Sequence, residues 1–179
     1  MAVVLEWVET GQVFPLPLGR AVRIGRGPHA EICLAVIYLN RRHCEALWDG
    51  CRVRVRDLGS TNGTFLNGRR SRGGVPVSVS GPEGVLLRLG DVLHLSGVRL
   101  RLATPSRVED GWLAWQGGLV AAMARQADEA GDFGGLPVLA DALEEAGCTD
   151  ADLLAHCRSG GRHLRGCWAV DLLLGRGRP

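Results

Sequence analysis

The sequence predicts an all-β sandwich followed by a small α-helical region. Three observations predict it. Apolar residues recur at every second position in short, β-branched stretches over the first hundred residues. Those stretches are punctuated by Asp-Gly and Asn-Gly pairs, which tolerate the positive φ of tight hairpins. After Thr104-Pro105-Ser106 the apolar period lengthens to about 3.6. The 179 residues therefore divide into a β-sandwich over 1–104, a linker over 105–111 and a helical region of unknown role over 112–179.

The strands are read in order as VVLEWVE, AVRIG, EICLAV, CEALWD, CRVRVRD and VLLRLG, with a final hairpin carrying Leu93, Leu95, Val98, Leu100 and Leu102. Val53 and Val55 alternate with Arg52, Arg54 and Arg56, the signature of a half-buried strand with a solvated arginine face. Turns fall at Asp49-Gly50, Ser60 to Gly63, Asn67-Gly68, Gly73-Gly74 and Gly90-Asp91. In the second half, Trp112, Trp115, Leu119, Val120 and Met123 share one helical face, broken by Phe133-Gly134-Gly135. Leu136, Leu139, Leu143 and Ala146 form the next, stopped by Gly147. Thr149 is placed to cap a third helix through Leu153 and Leu154. Leu164 to Leu174 is helical or partly so. Three or four small helices are expected, packed together or against the sandwich.

Composition excludes several classes. The chain is 46% hydrophobic, so it has a core to build. No run reaches ~18 uninterrupted apolar residues, which argues against a membrane span. The opening MAVVLEWVET lacks a basic stretch followed by a small-residue cleavage site, so a cytoplasmic location is expected. Six cysteines are too few for a disulfide scaffold. All 21 basic residues are arginine, so lysine-dependent phosphate loops and Schiff-base chemistry are absent. Charge is split. Residues 1–107 hold 15 Arg against 8 acidic residues, and residues 108–179 hold 6 Arg against 11.

No catalytic set assembles. The sequence lacks HExxH, GxSxG and a Gly-rich loop ending in Gly-Lys-Ser/Thr, so no enzyme activity is expected. Three polar clusters stand out instead, each between strands: Ile24-Gly25-Arg26-Gly27, Asn40-Arg41-Arg42-His43, and the run from Asp57 to Gly68. Together they offer guanidinium forks, amides, hydroxyls and turn N–H groups. Those donors suit a tetrahedral oxyanion such as phosphate.

These clusters resemble the forkhead-associated (FHA) domain, over residues 1–104. The family pattern runs Gly-Arg, Ser-x-x-His, Ser-x-Asn-Gly-Thr-x-x-Asn-Gly and Gly-Asp. The matches are Gly25-Arg26, Asn40 to His43, Ser60 to Gly68, and Gly90-Asp91. The resemblance implies a β-sandwich of about eleven strands that binds phosphothreonine peptides through loops at one end, without catalysis. It implies phosphopeptide contacts from Arg26, Asn40, Arg41, Thr61 and Asn62. Gly25, His43, Ser60, Gly63 and Gly68 would support the loops. Asn40 departs from the pattern, standing where the family has Ser, and Arg42 is left to solvent or an ion pair. The implied partner is a phosphothreonine-containing protein or a Ser/Thr kinase, with no cofactor, membrane or nucleic acid. The alternative is a phosphate-independent scaffold that binds through its helical half.

Cys148, His156, Cys157, His163 and Cys167 could supply zinc ligands. They lack a CxxC pair and fall among helical apolar positions, so they are read as packing residues and no metal is expected. Residues 136–175 are similar to a segment recurring at the ends of bacterial, particularly planctomycete, proteins of varied architecture.

Overall fold

A computed structural model describes residues 3–67, 77–79, 81 and 83–176. Eleven strands are seen there: β1 (Val4–Trp7), β2 (Gln12–Pro15), β3 (Ala21–Gly25), β4 (Ile32–Cys33), β5 (Cys44–Trp48), β6 (Val53–Asp57), β7 (Thr64–Leu66), β8 (Val77–Ser78), β9 (Val85–Leu87), β10 (Val92–Leu95) and β11 (Val98–Ala103). They form a six-stranded sheet, β2-β1-β11-β10-β7-β8, and a five-stranded sheet, β4-β3-β5-β6-β9. Five helices follow: α1 (Asp110–Ala114), α2 (Leu119–Ala130), α3 (Leu136–Glu145), α4 (Ala151–Arg158) and α5 (Trp168–Leu173).

Alternation does the sorting. In β6, Val53 and Val55 are buried while Arg54 and Arg56 face outward to Glu83 and Glu45. In β5, Cys44, Ala46 and Trp48 point inward. They meet Leu93, Leu95, Leu100 and Leu102 of the opposite sheet in one core. Burying a Leu or Val side chain fully contributes about 1.5–3 kcal/mol, so these inner faces hold the two sheets together.

Four local features depart from the sequence reading. The stretch 31–36 pairs only at Ile32 and Cys33, parallel to β3. Beyond it the chain loops, burying Leu34 and Leu39 while Ile37 and Tyr38 stay exposed. The helical face over 112–123 is split between α1 and α2, because Gln116, Gly117 and Gly118 take left-handed φ of 46°, 71° and 91°. Only glycine holds that conformation without strain. Asp150 rather than Thr149 caps α4, its Oδ1 accepting from Leu153 N at 3.0 Å. The last helix is confined to α5. The Gly73-Gly74 turn lies outside the described residues.

The helices close on one end of the sandwich. α5 is buried throughout. Trp168 N donates to Cys51 O in the β5–β6 turn at 3.0 Å. Asp171, fully buried, accepts from Leu89 N in the β9–β10 turn at 3.4 Å. Its carboxylate also lies 3.4 Å from Arg88 and pairs with Arg176, and Asp128 pairs with the same two arginines. Burial pushes the Asp171 carboxyl up, against the opposing pull of Arg176 and Arg88.

Candidate functional site

The three polar clusters converge at the opposite end, where β5 begins and β6 ends. Backbone contact builds the floor. Arg26 N donates to Asn40 O at 3.0 Å, and Gly27 N to Arg41 O at 3.1 Å. This approach requires Gly25. A Cβ there would strike the Arg41 carbonyl oxygen and stand 2.8 Å from Asn40 O.

His43, fully buried, ties two loops together. Its Nδ1 accepts from Asn40 N at 3.4 Å, so Nε2 carries the proton and donates to Gly63 O at 3.2 Å. Burial pushes the imidazole pKa down, outweighing the Gly63 carbonyl and the Asp57 charge. The neutral ring suits a brace that must both accept and donate.

Asp57 organises the next loop. Its Oδ1 accepts from Gly59 N and Ser60 N at 2.9 and 2.8 Å. Its Oδ2 accepts from the Ser60 and Thr64 hydroxyls, both at 2.6 Å. Burial opposes ionisation, but these bonds prevail and hold the pKa below its ordinary value. Gly63, at φ +76°, completes the turn. Gly68 lies outside the described residues.

The two loops are then clamped through the Asn40 side chain. Asn40 Oδ1 accepts from Thr61 N, and Asn40 Nδ2 donates to Thr61 Oγ1, both at 3.1 Å. With its oxygen accepting from Asn40, the Thr61 hydroxyl has its own proton to give outward. Asn62 Nδ2 reaches Tyr38 O at 3.3 Å and Ser96 Oγ at 3.2 Å, fastening the loop to the β10–β11 turn.

Arg26, Asn40, Arg41, Thr61 and Asn62 all line one open cleft of about 530 Å³, with Arg42, Ile37 and Tyr38 at its sides. No described residue of the helical region lines it. Among the described residues, Arg26, Arg41 and Arg42 hold no carboxylate, whereas Arg23, Arg56, Arg99 and Arg101 each pair with a glutamate. Three uncompensated guanidinium groups make the cleft electropositive.

The sequence reading missed three features here. Arg42 lines the cleft instead of leaving it. Asp57 organises the loop, and an Asp followed by Gly-Ser two residues on is the Asx-turn signal for it. Tyr38 and Ile37 stand at the rim because their neighbours Leu34 and Leu39 turn inward.

The sequence profile of the FHA domain matches residues 22–96. A solved FHA domain, studied for phosphothreonine-dependent FHA domain interactions, is 32% identical. The match covers 57% of this chain and 96% of that one, with a TM-score of 0.48. Residues 22–96 are an FHA domain. The FHA domain-containing protein FhaB of Mycobacterium tuberculosis is 36% identical over 88 residues, 49% of this chain and 54% of FhaB. The chain thus spans about half the length of that relative. The FHA domain of an Arabidopsis thaliana hypothetical protein shares the fold at 24% identity and a TM-score of 0.50, over 60% of this chain and 89% of that one.

No described residue of the second half lines the FHA cleft. Cys148 and Cys157 are buried in the helical core, and burial pushes the Cys157 thiol up to about 12. His156, His163 and Cys167 gather elsewhere, at the seam between helices and sandwich. All six cysteines are free thiols. No helix among the described residues is long and apolar enough to cross a membrane.

Proposed function

We propose that the chain is a non-catalytic phosphothreonine-peptide binding module, an adaptor in Ser/Thr-kinase signalling. The observation that carries this reading is the convergence of three carboxylate-free arginines with Asn40, Thr61 and Asn62 in one open cleft. Arg26 and Arg41 would grip the phosphate through charge-assisted N–H···O bonds, the strong class of hydrogen bond. The Thr61 hydroxyl and the second Asn40 N–H would complete its shell. Asn62 would offer its amide oxygen to the peptide main chain. The described lining residues include no carboxylate, imidazole or thiol to move a proton, which supports binding without catalysis. The helical region, a unit over 112–179 joined by a linker over 105–111, leaves the cleft open among the described residues, and this favours the phosphopeptide reading over a phosphate-independent scaffold.

Isothermal titration with phosphothreonine peptides and their unphosphorylated forms tests the reading. Binding confined to the phosphorylated set is expected. Equal affinity for both sets would return the scaffold reading.

A further inference from the structure

Four donor side chains meet where the helical region closes on the β5–β6 turn. Cys51 comes from that turn, His156 from α4, His163 from the loop beyond it, and Cys167 directly precedes α5. One ligating atom from each lies within 4.8 Å of all the others. His156 Nε2 is 3.0 Å from Cys167 Sγ, and His163 Nδ1 is 4.0 Å from the same sulfur. Zn–S bonds of about 2.3 Å and Zn–N bonds of about 2.0–2.1 Å place the corners of a tetrahedron about 3.3–3.8 Å apart. The four atoms therefore reach that figure with movements of about an ångström.

We propose that Cys51, His156, His163 and Cys167 bind one zinc ion, as a closed Cys2His2 site that fastens the helical region to the FHA sandwich. Two thiolates and two imidazoles are the ligand set that tetrahedral zinc prefers. Two sulfur charges balance the dication, and loading releases the two thiol protons. The outer contacts agree. His163 Nε2 lies 3.1 Å from Ser159 O, so its proton is held there and Nδ1 is left with a lone pair facing the cluster. His156 is wedged between the His163 ring, centroids 4.8 Å apart, and the Trp168 ring at 5.0 Å, which fixes its orientation. Cys51 and Cys167 are both buried, and a cleft of about 400 Å³ lined by Leu18, Trp48 and His163 leads in from solvent. With all four positions supplied by protein, the ion has no open site for substrate and its role is structural. A Cys51–Cys167 disulfide would use the sulfurs but give neither histidine a reason to face them.

Zinc content of the full chain, expressed with zinc and purified in a phosphine reductant without chelator, is the first measurement. One zinc per chain is expected. The second is cobalt titration of the reduced metal-free chain, where the visible bands of a tetrahedral site and sulfur-to-cobalt charge transfer are expected. Cys51→Ser and His163→Gln should each weaken zinc binding by at least about a hundredfold. Cys33→Ser, at an exposed position on the sandwich, should leave it unchanged. If either ligand variant does not fold, the cobalt spectrum of the unaltered chain still decides. A folded, fully reduced chain that takes up neither metal overturns the proposal, as does undiminished zinc binding by folded Cys51→Ser. A Cys51–Cys167 disulfide in protein trapped with a thiol-blocking reagent at cell lysis also overturns it.

Discussion

The two ends of the β5–β6 hairpin use arginine in opposite ways. At the end where β5 begins, Arg26, Arg41 and Arg42 surround an open cleft with no carboxylate among the described residues to satisfy them. At the other end, across about 16 Å of strand, Arg88 and Arg176 are consumed by Asp128 and the buried Asp171. The difference teaches what makes a charged residue a ligand group. Arginine neutralised at a seam contributes to folding, whereas arginine held by backbone geometry and left unpaired is available to an incoming anion. The whole-chain charge of +2 conceals this, because the acidic residues of the second half are spent partly at the seam.

The sharpest way to break this contrast is to remove the buried carboxylate. Asp171→Ala leaves Arg88 and Arg176 with Asp128 as their remaining carboxylate and unpairs the buried Leu89 N–H, and should cost on the order of 2 kcal/mol of stability in urea denaturation. Phosphopeptide affinity of the folded fraction should be unchanged. A large loss of affinity would mean that the two ends are coupled.

Arg26→Ala is the mirror experiment. The Arg26 backbone keeps its bond to Asn40 and the side chain holds no partner among the described residues, so thermal stability should stay within about 0.5 kcal/mol of the parent. Phosphopeptide binding should fall by about 2 kcal/mol, roughly thirtyfold, in isothermal titration. Equal losses of stability and binding would show that Arg26 is a structural residue like Arg88.

Asn40 sharpens the comparison because on the proposed reading it does both jobs. Its amide is already engaged on both sides of Thr61. Asn40→Ala should therefore lower stability by about 1 kcal/mol and affinity by a similar amount. Asn40→Ser should recover part of the affinity but not the clamp, since one hydroxyl cannot replace both contacts. Unchanged affinity and melting temperature in Asn40→Ala would remove the residue from the site.

Much of the sandwich was legible because it is written in neighbouring residues. The alternation of Val53 and Val55 with arginine marks β6 without knowledge of anything distant. Strands such as β7 and β8 were not legible, being two or three residues set by pairing, β7 with the distant β10 and β8 with β7. The split between α1 and α2 hides in two glycines that a helical face can seem to run through. The cleft residues were visible as polar clusters, because each loop is contiguous, and their meeting is a consequence of the sandwich bringing loop ends together. The grouping of Cys51 with His156, His163 and Cys167 was not legible. Cys51 lies more than a hundred residues before the other three, which the sequence offered as zinc candidates beside Cys148 and Cys157, two cysteines that the helices bury elsewhere.

Gly25 has a consequence for how the cleft can diversify. Its missing side chain lets two stretches of main chain lie directly against each other, so the bottom of the cleft is made of peptide groups that every amino acid shares. Substitution can hardly re-tailor such a surface. It can only obstruct it. Ile37 and Tyr38, 77% and 70% exposed, carry no such restriction. On the phosphopeptide reading, a duplicated copy of this chain that acquired a different peptide preference would be expected to change at those two rim positions while leaving the backbone floor intact.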